Sequence, residues 1–340
     1  MIKNLNSNIS FNYDKEVFES VLCNLCGSER FFVLAKKSVN GLDTQTCLCK
    51  DCGLIYINPR MTREGYDGYY KHFYRKDRSS IKGKDLKDID LDKSFEHAKV
   101  FGTALAKKLS DFITSGLTID VGSSTGGVLY GLKKVIPNLE VFGIEPSVDE
   151  SNFANKKGIK TDTCLFEDFD KHEFGGVSNI LCVQSLNHLL DPKKFLLWSF
   201  DNLKEGGHII LAVKNFRHQC RRAGRIEAGG QIDHPYMFTP ETLKLLVESA
   251  GFKVVYMDID EGKRLPELVG QRKMGLPTHH IRIVGEKLFE RTVPSGVDKN
   301  SKILYKRLRF QLWKPFLKMH YLFFYSYRFS FLRKFLHIRQ

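Results

Sequence analysis

From residue 117 onward, short apolar runs alternate with segments in which apolar residues recur every three or four positions. Short apolar runs predict buried strands, whereas the longer period predicts amphipathic helices. The expected strands lie at 117–122, 141–145, 179–185 and 208–213. This alternation predicts an α/β fold built on a doubly wound parallel sheet.

Two helices outside that alternation are also expected. A helical pattern over 94–115 leads into the first strand. A second helix is expected at 239–250, because Thr239 can act as N-cap, Pro240 fits the first turn and Gly251 ends the pattern. The apolar run that follows predicts a further strand.

The chain of 340 residues is too long for one minimal domain, and changes in composition divide it. The expected units are a small cysteine-rich module at 20–60, a linker or lid at 61–93, the α/β domain at 94–260 and a C-terminal extension at 261–340. The second unit is rich in Gly, Lys and Asp, a composition typical of exposed connecting segments.

Composition is that of a folded protein, with 42% hydrophobic and 27% charged residues. The N-terminus has no basic segment followed by an apolar run, and no stretch of about 20 apolar residues is present to span a bilayer. We therefore expect a cytoplasmic protein, with peripheral contact at the inner face of the membrane as a further hypothesis for its tail.

Charge is concentrated at the C-terminal end. The net charge is +14, yet residues 301–340 hold ten Lys and Arg and no Asp or Glu, which leaves a nearly balanced body. The tail interleaves these charges with twelve aromatic residues: Tyr305, Phe310, Trp313, Phe316, Tyr321, Phe323, Phe324, Tyr325, Tyr327, Phe329, Phe331 and Phe335. Such a segment suits an anionic membrane surface. The alternative is a helix packed on its own domain, or on a second subunit, with a solvated basic face.

Four cysteines form two closely spaced pairs, Cys23-x2-Cys26 and Cys49-x2-Cys52. Two such pairs can deliver four thiolates to one tetrahedral zinc ion, and a closed site of this kind is structural. Cys47 has the wrong spacing for a pair and is a spare thiol. Clustered thiols of this type indicate a reducing compartment.

A glycine-rich turn links the first strand of the α/β domain to the next helix. Gly122 and Gly126 permit close approach of a ligand to backbone N–H groups at a helix N-terminus. The following strand ends in Glu145, at the position where an acid can accept both hydroxyls of a ribose. These features predict a nucleoside-containing cofactor.

This region resembles the class I S-adenosylmethionine (SAM) dependent methyltransferases, whose first motif is acid-x-Gly-x-Gly-x-Gly. Here the motif is Asp120-x-Gly122-x-Ser124-x-Gly126, so serine replaces the middle glycine. A dehydrogenase is less favoured, because the spacing does not fit Gly-x-Gly-x-x-Gly. The resemblance continues through 179–213, through the His-x-x-x-Phe-x-Pro segment that begins at His234, and into the cysteine module. It covers roughly residues 20–260.

The resemblance implies a Rossmann-like class I sheet with SAM as cofactor and zinc as structural metal. It also implies roles for individual residues. Gly122, Ser124 and Gly126 would line the methionine part of SAM, and Asp120 would orient the loop or the amino group. Glu145 would hold the ribose. The remaining cofactor-site predictions are Leu165, Phe166 and Glu167 near the adenine, and Gln184 facing the cofactor.

Methyl transfer from a sulfonium needs the reactants held at near-attack distance, and a hydroxyl acceptor is helped by a general base. His188 and His234 are the candidate catalytic residues, each with packing or hydrogen bonding as the alternative role, and Tyr236 is expected to be pocket wall. The resembling subgroup is bacterial, carries the four-cysteine module, and acts on nucleotide sugars, glycans and secondary metabolites. It thus implies a saccharide or other small-molecule acceptor.

Two other functions remain open on the sequence alone. The first is an RNA methyltransferase, since a zinc module and a basic aromatic tail can hold nucleic acid, although the body is nearly neutral. The second is a non-catalytic scaffold with a degenerate SAM fold, for which Ser124 is the hint.

Overall fold

The structure, a computed structural model, describes residues 11–74, 90–169, 174, 176–263, 265–288 and 299–324. Within these ranges, no helix is both long and apolar enough to cross a membrane. The strands are β1 (Phe18–Glu19), β2 (Phe31–Lys37), β3 (Asp43–Cys49), β4 (Ile55–Ile57), β5 (Arg60–Met61), β6 (Gly116–Val121), β7 (Leu139–Ile144), β8 (Thr161–Asp162), β9 (Val177–Val183), β10 (Leu203–Lys214), β11 (Tyr236–Met237), β12 (Lys253–Ile259) and β13 (His280–Glu286).

Ten α-helices lie in the described residues. They are α1 (Arg63–His72), α2 (Leu91–Lys108), α3 (Gly127–Val135), α4 (Val148–Lys156), α5 (Pro192–Asn202), α6 (Phe216–Ala223), α7 (Pro240–Ser249), α8 (Leu265–Lys273), α9 (Lys299–Gln311) and α10 (Lys314–Phe324).

The central sheet has seven strands in the order β12-β13-β10-β9-β6-β7-β8. Strands β6 to β10 pair in parallel, whereas β13 is antiparallel to both of its neighbours, β10 and β12. The strand order reverses between β6 and β9. An open α/β sheet binds its ligands at the carboxyl ends of the strands beside such a reversal. The predicted α/β, Rossmann-like fold is confirmed.

The helix α7 confirms the prediction for 239–250. Thr239 caps it and shares a reciprocal hydrogen-bonded box with Thr242, and Pro240 occupies the first turn. The helix expected over 94–115 is α2, which begins earlier because Asp90 accepts a capping hydrogen bond from the Lys93 N–H. The sheet extends past residue 260, since β13 lies within the segment expected to be an extension.

Helices α2 and α3 pack with their backbones in close contact. A Cβ atom on Gly131 would lie 2.3 Å from the Lys99 carbonyl oxygen, and one on Gly102 would lie 2.2 Å from that of Val128. Only glycine fits at these positions. This packing fixes the N-terminus of α3 next to the glycine-rich turn.

The cysteine-rich module shares a sheet with the main domain. Its strands form the order β11-β4-β3-β2, in which Tyr236 pairs with Tyr56 and Met237 pairs with Ile55. Strand β11 is supplied by the segment just after His234. The module expected at 20–60 is therefore joined edge to edge to the part of the chain that carries candidate catalytic residues.

The described part of the tail forms α9 and α10, which pack on the body. Leu304, Leu308, Leu312 and Leu317 join a buried cluster with Leu48, Ile55, Ile57 and Phe216. Arg307 pairs with Glu241, and Lys314 pairs with Glu227. The tail thus packs on its own domain through its leucines, and residues 325–340 of the predicted tail lie outside the described residues.

Candidate functional site

The turn after β6 adopts backbone conformations that favour glycine. The φ angles are 76° at Gly122, 51° at Ser124 and 75° at Gly126. Serine therefore takes the left-handed conformation that the middle glycine would have, an uncommon one for a residue with a Cβ. The Gly122 N–H donates to the carbonyl oxygen of Ile144, which binds the turn to the end of β7.

Glu145 lies directly beside this turn. Its Oε2 accepts a hydrogen bond of 2.8 Å from the Ser124 N–H, and its Oε1 accepts one of 2.9 Å from the Ser147 N–H. The two oxygens of a carboxylate offer about four acceptor positions, so capacity remains for two ligand hydroxyls. The geometry suits an acid that holds a ribose at the edge of a glycine-rich turn.

Asp120 is buried at the end of β6, with 1% of its surface exposed. This burial raises the pKa of its carboxyl to about 7, against a weaker opposing effect of a hydrogen bond from the Val183 backbone. Its Oδ1 and the Ser123 hydroxyl are buried and have no hydrogen-bond partner among the described residues. Buried polar atoms without partners normally belong to a site that a ligand or water completes.

Replacing Asp120 by asparagine is expected to change how stability depends on pH. The folded protein holds a proton on this carboxyl up to about pH 7, whereas the unfolded chain releases it near 3.9. Stability therefore falls as pH rises between these values, by up to about 4 kcal/mol, and the asparagine variant lacks this loss. Urea unfolding of wild type and Asp120→Asn at pH 5 and pH 8 measures this difference in the free energy of unfolding.

Exposed Asp111 offers the matched control, since Asp111→Asn makes the same substitution on the surface, away from the buried site. A stability difference between wild type and Asp120→Asn that stays constant from pH 5 to pH 8 would contradict the buried-acid account.

A cavity of about 780 Å³ opens at the carboxyl ends of the strands. Its size is in the range of cofactor sites. Eight predicted site residues line it: Asp120, Gly122, Ser124, Glu145, Leu165, Phe166, Gln184 and His188. Glu167 lines it as well, and Glu167 Oε1 accepts a hydrogen bond from the Leu190 N–H. Gly126 and His234 are not among the lining residues.

The end of the cavity where the sequence predicts the adenine combines cavity wall and core. Phe166 is 6% exposed and packs edge-on against Phe195 and Trp198, with ring centroids 5.2 and 5.3 Å apart. It thus serves the core and the cavity at once. Gln184 takes a φ of 60°, which ends β9 and places this residue at the cavity.

The geometry around His188 assigns its tautomer. Its Nδ1 lies 2.7 Å from the backbone carbonyl oxygen of Asp233, and a carbonyl oxygen can only accept. Nδ1 therefore carries a proton, and in the neutral ring the lone pair is on Nε2. The Tyr70 hydroxyl lies 3.0 Å from the same Nδ1 and donates to the same carbonyl.

His234 lies behind His188. The two ring centroids are 4.7 Å apart, and the Asp233 carboxylate oxygen Oδ2 lies 3.7 Å from His188 Nδ1 and 3.8 Å from His234 Nε2. His234 is buried, with 2% exposed. Of the two candidate catalytic histidines, His188 alone lines the cavity. Tyr236 is buried in the paired strands and does not line it, so the expectation of a pocket wall was wrong.

The sequence analysis missed the tyrosine wall contributed by α1. Tyr66 and Tyr70 line the cavity from one face of α1, since they are four residues apart, and Tyr74, just beyond the end of α1, lines it as well. The Tyr66 hydroxyl donates to the Ile232 carbonyl, so the wall is bonded to the segment before His234. The signal was the tyrosine period at 66–74, within the segment interpreted as a linker or lid. Residues 75–89 of that segment lie outside the described residues.

The structure brings Cys23, Cys26, Cys49 and Cys52 together, with their Sγ atoms all within 4.8 Å of one another. The pairs Cys23 with Cys52 and Cys26 with Cys49 are 3.4 and 3.5 Å apart. A tetrahedron with Zn–S bonds of about 2.3 Å has edges near 3.8 Å, so these donors fit zinc. Cys47 lies apart, with its thiol directed to the Asn58 carbonyl.

The first cysteine pair contacts the segment that carries His188. The Asn24 side chain donates to Asp191 Oδ1 and accepts from the Lys193 N–H, at 2.8 and 2.9 Å. Asp191 is also the N-cap of α5. The loop from His188 to Asp191 is therefore held between the cysteine module and the start of α5.

A Rossmann-like sheet with a glycine-rich turn after its first strand and an acid after its second is typical of SAM-dependent methyltransferases. Residues 96–257 match the family model described as "Methyltransferase domain". This span contains the turn, Glu145 and His188. The chain therefore carries a methyltransferase domain, and the protein is a methyltransferase enzyme.

Solved structures similar to this chain include the plantazolicin methyltransferase BpumL with S-adenosylhomocysteine, at 16% identity, with 66% of this chain and 94% of that chain covered and a TM-score of 0.45. A SAM-dependent methyltransferase from Thermotoga maritima has 19% identity, coverage of 63% and 99%, and a TM-score of 0.44. Geranyl diphosphate C-methyltransferase from Streptomyces coelicolor A3(2) has 15% identity, coverage of 55% and 79%, and a TM-score of 0.43. No curated protein sequence matched.

Proposed function

We propose that the protein methylates a hydroxyl group of a saccharide acceptor, with His188 as general base. The observation that carries the proposal is the hydrogen bond from His188 Nδ1 to the Asp233 carbonyl, because it leaves a basic Nε2 on a residue that lines the cofactor cavity. A base positioned in this way takes the proton that an acceptor hydroxyl loses.

The residues around the turn would hold the cofactor. Ser124 and Gly122 would contact the methionine part, Glu145 the ribose hydroxyls, and the partnerless oxygen of Asp120 the amino group. Leu165 and Phe166 would flank the adenine. When bound, SAM supplies an electrophilic methyl group on a sulfonium. The protein's part is then to orient the acceptor oxygen and to remove its proton.

Asp233 and Tyr70 would keep His188 in the working tautomer. Burial raises the pKa of the Tyr70 hydroxyl well above its usual value, so it stays protonated and donates to the Asp233 carbonyl. The Asp233 carboxylate, 3.7 Å from Nδ1, would stabilise the imidazolium that forms when His188 takes a proton.

The cavity wall that faces His188 supports a saccharide acceptor. The rings of Tyr70 and Tyr74 both lie 6.1 Å from the His188 ring, edge-on to it. Aromatic side chains offer apolar faces for the C–H groups of a sugar ring, and polar groups around them fix orientation. This chemistry supports a sugar-containing small molecule as acceptor.

We further propose that the four cysteines bind one structural zinc ion, and that the enzyme works in the reducing cytoplasm. All four sulfurs face one another, so the ion would have no open position for catalysis.

Replacing His188 by alanine tests the proposed base. The turnover number is expected to fall by about 10²- to 10⁴-fold, because proton removal from the acceptor loses its base. Affinity for S-adenosylhomocysteine should be retained, since the cofactor contacts lie on the glycine-rich turn. The assay measures methyl transfer to a panel of saccharides and nucleotide sugars, with and without added imidazole. Imidazole should restore part of the turnover rate that His188→Ala loses.

An undiminished turnover number in His188→Ala would remove the proposed base. Transfer to RNA, with none to saccharides, would remove the proposed acceptor class.

A further inference from the structure

Helices α9 and α10 expose large apolar side chains opposite their buried leucines. Ile303, Phe310, Trp313 and Met319 are 63%, 59%, 58% and 60% exposed, and Phe324 at the end of α10 is also exposed. Of the thirteen large hydrophobic side chains that are exposed in the described residues, five lie in this short stretch. We call this surface, together with Lys302, Lys306 and Lys318, the tail face.

The helical period aligns the apolar and cationic groups of α9. Ile303 and Phe310 are seven residues apart, which is two turns, so they lie on one stripe. Lys306 falls between them on the same side of the helix. Leu304 and Leu308 lie on the opposite side and are buried. The exposed stripe therefore alternates bulky apolar and basic groups.

Five of the six Lys and Arg residues described between 302 and 324 divide into two sets, and the sixth, Arg309, lies over the Phe32 ring. Arg307 and Lys314 pair with Glu241 and Glu227 of the body and hold the helices in place. Lys302, Lys306 and Lys318 are exposed, and none of them forms an ion pair with a described residue. From residue 299 to residue 340 the chain contains no Asp or Glu. The tail face is thus cationic with no acid of its own.

We propose that the tail face docks on an anionic membrane surface. Exposed Phe, Trp and Ile side chains would enter the headgroup region while the lysines contact lipid phosphates. This proposal concerns location and stands apart from the proposed acceptor and base.

Three observations favour lipid over other occupants. A second copy of the chain would bring an identical cationic face, and like charges would repel. Ile303 and Met319 offer nothing on which a nucleic-acid base could stack. Residues 325–340 add four basic and five aromatic residues and no acid, which continues the same chemistry.

The test is co-sedimentation of the full chain with vesicles of phosphatidylcholine alone and of phosphatidylcholine with about one third phosphatidylserine. Binding to the anionic vesicles and little to the neutral ones is expected. Lys302→Gln/Lys306→Gln/Lys318→Gln should weaken that binding by about tenfold or more, because each lysine near an anionic surface adds to the attraction. Phe310→Ser/Trp313→Ser should weaken it as well.

Matched controls come from exposed positions outside the tail. Lys107→Gln/Lys204→Gln/Lys253→Gln removes the same charge, and Val17→Ser removes an exposed apolar side chain. Both should bind as wild type does. Equal loss in the controls, or no binding of wild type to the anionic vesicles, would overturn the proposal. Dimerisation without vesicle binding, abolished by Phe310→Ser/Trp313→Ser, would assign the face to a second copy.

Discussion

Replacing Glu145 by alanine is expected to weaken binding of S-adenosylhomocysteine by about a hundredfold or more. The carboxylate would accept both ribose hydroxyls, and hydrogen bonds to a charged group contribute about 1.5–3 kcal/mol each. The same side chain accepts from the Ser124 and Ser147 N–H groups, so its loss also leaves the turn less ordered. Calorimetric titration of the zinc-loaded protein measures the effect.

Glu140 provides the matched control for this experiment. It lies on the same strand, β7, and is exposed, so Glu140→Ala should bind as wild type does. Glu145→Gln separates charge from shape and should fall between wild type and alanine. Tight binding in Glu145→Ala would place the ribose elsewhere in the cavity.

Replacing Cys49 by serine is expected to lower the zinc content from one ion per chain to near zero and to disorder the cysteine module. Structural zinc in small sites contributes roughly 10–16 kcal/mol of binding free energy that is also folding free energy. The module bonds to Asp191 through Asn24 and pairs with β11, so its loss should disorder the loop that carries His188. The affinity for S-adenosylhomocysteine should fall by a much smaller factor than the rate of methyl transfer.

Elemental analysis measures the zinc content, and hydrogen exchange at 186–191 measures the order of the loop that carries His188. Cys47→Ser is the control, because that thiol lies outside the cluster and a serine hydroxyl can donate to the same Asn58 carbonyl. Full zinc content in Cys49→Ser, or loss of zinc in Cys47→Ser, would contradict the four-thiolate assignment.

The elements that could be predicted from sequence are those whose signal is local. The strand, turn and acid around Gly122 and Glu145 follow from spacing along fewer than thirty residues, and the cap at Thr239 follows from four. The two cysteine pairs could be predicted to meet at one site because each pair has the short spacing of a local turn. Ser124 shows the limit, since only the structure reveals that it takes the backbone conformation of a glycine.

The features that sequence reasoning missed depend on contacts between distant parts of the chain. Strand β13 lies beyond residue 260, and its place between β10 and β12 is set by pairing across the sheet. The sequence leaves two interpretations of the tail, because an amphipathic segment specifies an apolar face and not the surface that covers it. Packing places its leucines against the body and leaves Ile303 and Phe310 outside.

The sequence by itself determined the α/β class, the glycine-rich turn, the acid after the next strand and the two cysteine pairs, because each is encoded by residue type and short spacing. Only the tertiary structure decided that Tyr70 and the Asp233 carbonyl meet at His188, and that His234 lies behind it. Tyr70, His188 and Asp233 lie on three separate segments of the chain. These segments meet because the cysteine module docks on the main domain and α1, which follows the module, reaches the cavity. Such a juxtaposition is a property of packing between elements and has no local signature.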